Sequence, residues 1–222
     1  MRFVRLLLWA VLISVFIACA ASAAIYDLAS DFSITDGNPN GVWTYGWAQT
    51  DFTGFTLYTN SGINSVSSPQ WYGWGGDWTP CIWKNISAGA AYGVPTGWTS
   101  LHPGDGTQPS IARWTAPTGT DGNVSINGSF LAGDGGSMIV SVLKNNAVIW
   151  TNRDSGDFSL SEYLVAGDTI DFAVSGGYAY GNTPISATIT TPTTTAVPEP
   201  TSIVLFGIPM LVVGISKIRR RY

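Results

Sequence analysis

The chain has 222 residues, of which 45% are hydrophobic and only 11% charged, with 26 glycines, ten tryptophans and a formal charge of −4 at pH 7. Six of its ten basic residues lie in the two tails, so between Ile25 and Thr190 only Lys84, Arg113, Lys144 and Arg153 face thirteen acidic residues, a balance near −9. Nucleic acid and anionic lipid both need a basic surface and are excluded as partners, whereas neutral sugars and divalent cations are not.

Residues 1–24 carry Arg2 and Arg5, an apolar run from Leu6 to Ala18 and the small-residue exit Ala21-Ser22-Ala23. That is the layout of a secretory signal peptide, with signal peptidase expected to cut after Ala23 or Ala24. Cys19 offers a rival cut as a lipoprotein cysteine, but Phe16 stands where an aliphatic residue is usual. Removal of the leader leaves about 165 residues at positions 25–190, enough for one domain with a real core. It also leaves Cys81 as the lone cysteine, so the core has no internal disulfide and Cys81 reads as a small buried hydrophobe.

Short alternating runs broken by Gly, Pro, Asp and Asn follow, the pattern of an all-β domain. Strands are expected over Phe52–Tyr58, Ser110–Ala116 and Val124–Phe130, the last with Val124, Ile126, Gly128 and Phe130 on one face. Met138–Leu143 and Ala147–Thr151 flank Lys144-Asn145-Asn146, whose asparagines tolerate the positive φ of a tight hairpin turn. Thr169–Ser175 and Ile185–Thr190 complete the set, and no segment of 25–190 shows a helical apolar stripe. The fold class is therefore all-β, a single antiparallel sandwich.

The densest chemical feature is Trp71-Tyr72-Gly73-Trp74-Gly75-Gly76-Asp77-Trp78, followed by Trp83, with Trp43, Tyr45, Trp47 and Trp98 elsewhere. Indoles stack on the apolar CH faces of sugar rings, and a nearby carboxylate accepts their hydroxyl bonds. The glycines read as a display loop, which makes Trp71, Trp74, Asp77 and Trp78 the candidate glycan contacts. The competing role for these indoles is core filling, since nine tryptophans fall within 25–190 and leucine is scarce.

No cofactor is expected. Asp105, Asp121, Asp134, Asp154 and Asp157 lie in glycine-rich turns and could supply oxygens to a structural calcium, but no calcium-loop spacing is present and aspartate favours turns for local reasons. Catalysis has little support. His102 lies in Leu101-His102-Pro103-Gly104 and reads as a loop residue, and no Gly-x-Ser-x-Gly elbow occurs. Glu162 is the only glutamate between 25 and 190, and no pair of carboxylates is marked out for glycoside hydrolysis.

Residues 191–196 form a Thr/Pro spacer that cannot pack a core. Residues 197–222 then read Val197-Pro198-Glu199-Pro200, an apolar run from Thr201 to Ser216, and a basic end with Lys217, Arg219, Arg220 and Arg221. The prolines keep the motif extended. The basic end acts as a stop on the cytoplasmic side of the inner membrane. A run of this length rises about 24 Å as a helix, short of a hydrocarbon core of roughly 30 Å.

This order closely resembles the PEP-CTERM sorting tail of exported proteins of Gram-negative bacteria. The resemblance implies a membrane protease partner, exosortase, which cuts near the Pro-Glu-Pro and passes the protein to the cell surface or the extracellular space. An ordinary C-terminal anchor is the alternative. A second resemblance rests on Ile111–Pro117, Gly122–Phe130, Val142–Trp150 and Val165–Phe172, with its Gly167-Asp168 turn. These segments are similar to a β-sandwich module of secreted bacterial proteins, which implies a jelly-roll-like fold of the carbohydrate-binding-module type and carries over no ligand. Two functions remain open: a surface protein that binds extracellular polysaccharide, and a structural matrix or biofilm component without a specific ligand.

Replacement of Pro198, Glu199 and Pro200 by alanine is expected to leave export intact and to abolish C-terminal processing. Intact-mass spectrometry of the envelope and secreted fractions checks this. Wild-type protein that keeps Arg219-Arg220-Arg221 would refute it.

Overall fold

The computed structural model describes residues 23–74 and 78–192, and Ala23–Pro192 forms one compact unit. The signal peptide, most of the Thr/Pro spacer, the Val197–Pro200 motif, the apolar span, the basic end and Asp77 lie outside the described residues. Among the described residues no helix is long and apolar enough to cross a membrane.

In chain order the elements are β1 (Ile25–Asp27), α1 (Leu28–Asp31), β2 (Trp43–Trp47), β3 (Thr56–Leu57), β4 (Asn60–Ile63), β5 (Pro69–Trp74), β6 (Thr79–Lys84) and β7 (Thr99–His102). They continue with β8 (Ser110–Thr115), β9 (Asp121–Phe130), β10 (Ile139–Lys144), β11 (Ala147–Arg153), β12 (Gly156–Val165), β13 (Thr169–Ser175) and β14 (Thr183–Thr190). The strands build two antiparallel sheets. One runs β12-β9-β14-β7-β6-β5-β4, with β1 also on β14; the other runs β11-β10-β13-β8-β2-β3. β9 covers one edge of β14, while β7 pairs with its first residues and β1 with its last on the other edge. The backbones of Ala24 and Thr191 are hydrogen-bonded, so the unit begins and ends at one place.

Aromatic rings fill the space between the sheets. Trp150 of β11 stacks on Phe130 of β9 at 6.0 Å and 6°. Phe158 of β12 meets Phe172 of β13 at 5.7 Å, and Phe172 meets Trp43 of β2 at 6.3 Å. Trp43, Tyr45, Trp114, Phe130 and Phe172 are almost wholly inaccessible to solvent. A Phe or Trp removes more apolar area from water per residue than leucine, which is scarce between residues 25 and 190.

Asn145 and Asn146 hold φ of 49° and 67° in the β10–β11 hairpin, as their position between two apolar runs predicts. Elsewhere the expected boundaries shift for identifiable reasons. The strand expected over Phe52–Tyr58 contracts to Thr56–Leu57, because Phe52 and Gly54 take left-handed backbone in a turn pinned by Asp51. The long edge strand β12 is hidden in the sequence by Glu162. Its carboxylate stands where an apolar residue would complete the alternation, and it is held by Lys144 Nζ at 3.2 Å. The same ammonium donates to Tyr163 O at 2.8 Å and blocks that stretch of open edge.

Two polar devices hold the β2 side. Arg113 of β8 grips the buried Asp171 of β13 with two bonds of 2.7 Å and lies 4.1 Å over the Phe55 ring. Asn38 acts as a substitute strand residue: its Nδ2 donates to Tyr45 O and Tyr58 O at 2.7 and 2.9 Å, and its Oδ1 accepts from Tyr45 N at 2.9 Å. Asn38→Ala forfeits all three bonds and is expected to cost about 2–3 kcal/mol. Asn38→Asp is expected to cost more, since it turns an acceptor toward two carbonyls. Urea unfolding of the purified variants measures both.

Candidate functional site

Alternation along β5 and β6 divides their side chains between two environments. Trp71 and Ile82 enter the main core. Gln70, Tyr72, Cys81 and Trp83 face the opposite side, where Cys81, Trp83 and Val94 form a small second cluster with Tyr72 and Trp98. On this outer face the structure holds a groove of about 650 Å³. Its floor is Gln70, Cys81, Trp83 and His102, and its walls carry Trp78, Tyr92, Tyr178 and Tyr180.

Each wall is fixed by a specific anchor. Trp78 lies stacked on Tyr72 at 5.0 Å and 13°, and Gln70 Nε2 donates to Trp78 O at 2.8 Å. Tyr92 rides on the loop 85–98, organised by the fully buried Asn85, whose Nδ2 donates to Gly89 O and Val94 O at 2.9 and 2.8 Å. Tyr178 and Tyr180 belong to the β13–β14 loop, tied back through Gly136 N to Tyr180 O at 2.9 Å and Asn182 Nδ2 to Asp134 Oδ2 at 3.0 Å. Trp83 Nε1 donates to Asn182 Oδ1 at 2.9 Å and so joins floor to wall.

Three of the wall aromatics share an unfavourable backbone. Trp78, Tyr92 and Tyr180 have φ of 57°, 49° and 57°. Left-handed backbone costs an L-residue roughly 1–2 kcal/mol, and bulky side chains rarely adopt it. Strain of this kind persists only where surrounding structure enforces it, and it concentrates at ligand-contacting positions.

The three described sequence-derived candidates, Trp71, Trp74 and Trp78, do not share one surface. Trp71 is 7% exposed, packed in the core with its Nε1 donating to Ser33 O at 2.8 Å. Trp74, 40% exposed, meets Trp47 edge-on at 4.6 Å and does not line the groove. Trp78, 37% exposed, does line it. Asp77 lies outside the described residues. The stretch expected as a display loop is β5 as far as Trp74, and Trp78 is the next described residue beyond it. His102 likewise ends β7, and its Nδ1–H donates to Pro103 O at 2.8 Å. Tyr178 and Tyr180 were open to the same reasoning as Trp78, because Gly176-Gly177-Tyr178-Ala179-Tyr180-Gly181 is another aromatic pair framed by glycines.

Burial pushes the Cys81 thiol up, which keeps it protonated and unreactive. Among the described residues no group of three or more His, Cys, Asp or Glu side chains converges as a metal site. Of the candidate calcium aspartates, Asp154 Oδ1 accepts from Met138 N at 2.6 Å, Asp121 accepts from the Tyr163 hydroxyl, and Asp134 Oδ2 accepts from Asn182 Nδ2.

No protein-family model matches the chain, and no curated protein matches it. Among solved structures it is similar to a family 35 carbohydrate-binding module from Clostridium thermocellum, at 10% identity over 59% of this chain and 98% of that one, with a TM-score of 0.33. It is also similar to a CBM35 from Paenibacillus barcinonensis, at 12% identity over 67% and 98%, TM-score 0.31. Pika GITRL matches at 17% identity over 37% and 76%, TM-score 0.27. Likeness at this level bears on neither ligand nor function.

Placement in core or wall separates the indoles energetically. Trp71→Ala is expected to cost about 3–5 kcal/mol, as for other large-to-small changes in a packed core. Trp78→Ala is expected to leave stability within about 1 kcal/mol. Thermal melts of the two variants side by side check the assignment.

Proposed function

We propose that this is an exported surface or extracellular protein whose sandwich binds glycan in the groove beneath Trp78, Tyr92 and Tyr180, without chemistry of its own. The carrying observation is the convergence on one groove of three loop aromatics, each held in left-handed backbone. Tyr72 supports one face of the Trp78 indole, which presents the ring to a flat apolar partner. Around it stand amide and hydroxyl groups from Asn64, Ser65, Gln70 and Thr79, the polar complement that sugar hydroxyls require. Hydrolysis would need two opposed carboxylates, and among the described residues none lines the groove.

Export and sorting rest on the sequence. The leader at 1–24 is the substrate of signal peptidase. The Pro198-Glu199-Pro200 motif with its apolar span and Arg219-Arg220-Arg221 end holds the chain in the inner membrane until an exosortase-type protease acts. The jelly-roll-like module resemblance fits the same reading of a secreted sugar-binding protein.

Affinity electrophoresis of the purified protein in gels cast with different polysaccharides tests the binding. Retention on at least one is expected, weakened about tenfold by Trp78→Ala, the equivalent of 1.4 kcal/mol. Tyr180→Gly relieves the left-handed strain at the cost of chain entropy, so its melting point should hold while retention falls. Wild-type retention in both variants would overturn the groove as the site. Failure of the wild-type protein to bind any glycan would favour the matrix-scaffold role.

A further inference from the structure

Building on the glycan-binding groove, we infer that it takes an uncharged pyranose chain and discriminates against uronate-containing and sulfated polysaccharides. The described lining is Ile63, Asn64, Ser65, Gln70, Trp78, Thr79, Cys81, Trp83, Tyr92, His102, Tyr178, Ala179, Tyr180 and Asn182, with no lysine, arginine, aspartate or glutamate among them. A bound carboxylate or sulfate must exchange its water for a charged or multiply donating partner, and an uncompensated charge in a partly dry site is costly. The groove's amide and indole donors carry no charge, and several already give an N–H within the protein. The Gln70 amide N–H is given to Trp78 O, the Trp83 indole N–H to Asn182, and the Asn182 amide to Asp134. The wall therefore offers a sugar hydroxyls and aromatic faces, groups that match neutral CH and OH surface.

The long-range field acts in the same direction. The four cations between Ile25 and Thr190 are each committed away from the groove. Lys84 donates to Ala29 O, Arg113 to Asp171, Lys144 to Glu162 and Arg153 to Ser137. An excess of negative charge on a chain this short repels a polyanion on approach, most strongly at low salt, where the screening length is about 30 Å. A neutral polymer does not feel that field.

The test compares a neutral β-glucan, neutral dextran and polygalacturonate as soluble ligands of the purified protein, at about 10 mM and about 500 mM salt. At least one neutral polymer should bind with affinity changed less than twofold by salt, and polygalacturonate should bind at least tenfold more weakly at low salt. Ser65→Arg places a cation in the groove lining and should shift the ratio of polygalacturonate to neutral-polymer affinity toward polygalacturonate at low salt, with the shift lost at high salt. Tighter binding of polygalacturonate than of either neutral polymer by the wild type would overturn this specificity while leaving the glycan-binding reading intact. Binding of none of the three would overturn the reading on which it rests.

Discussion

The two-residue period of β6 is the constraint on which both the core and the site depend. Ile82 must enter the sandwich interior for the sheets to close, and that commits Cys81 and Trp83 to the other face. A slip of one residue would exchange the two sets, placing the Trp83 indole in the core and Ile82 on the groove floor. Pairing with β5 and β7 locks the register, with Trp71 and Leu101 opposite Ile82 and all three pointing inward. The groove is thus a by-product of core formation in its floor and an independent construction in its walls.

Core and floor are also joined by a polar thread. The Tyr58 hydroxyl donates to Ser110 Oγ at 2.8 Å, and Ser110 Oγ donates to Cys81 O at 2.7 Å, so the sheet containing β8 reaches the backbone of β6 through the interior. Burial raises the Tyr58 hydroxyl well above the ordinary tyrosine range, which keeps it a donor at neutral pH. With no disulfide to fasten the sheets, such directional contacts add position to the non-directional attraction of the rings. Aromatic packing supplies the area; the hydroxyls and Asn38 supply the alignment.

The sequence discloses strands that alternate strictly or run continuously apolar. Val124–Phe130, Met138–Leu143 and Thr169–Ser175 alternate or run apolar between clear turns, and β9, β10 and β13 occupy those places. It conceals β5, β6 and β7, whose outer face forms the groove floor and so mixes Gln, Cys, Trp, Ser and Pro without a clear apolar period. The site suffers from the same masking. Clustering of Trp71, Trp74 and Trp78 in sequence suggests one surface, yet strand alternation sends Trp71 inward and the end of β5 turns Trp74 toward Trp47. Tyr92 and Tyr180 come from distant loops, and only the folded chain brings them to Trp78.

The meeting of Ala24 with Thr191 has a mechanical consequence. β14 runs from the groove, where Asn182 lies in the wall, to the point where the chain leaves the domain after Thr191. A ligand held at one end and a tether at the other would pull β14 along its own length. Its ladder to β9 on one edge, and its pairs with β7 and β1 on the other, lie perpendicular to that pull. They would carry the load together in shear, where a strand at the sheet margin would peel away one bond at a time. A domain built this way resists a pull along β14 through an interior strand.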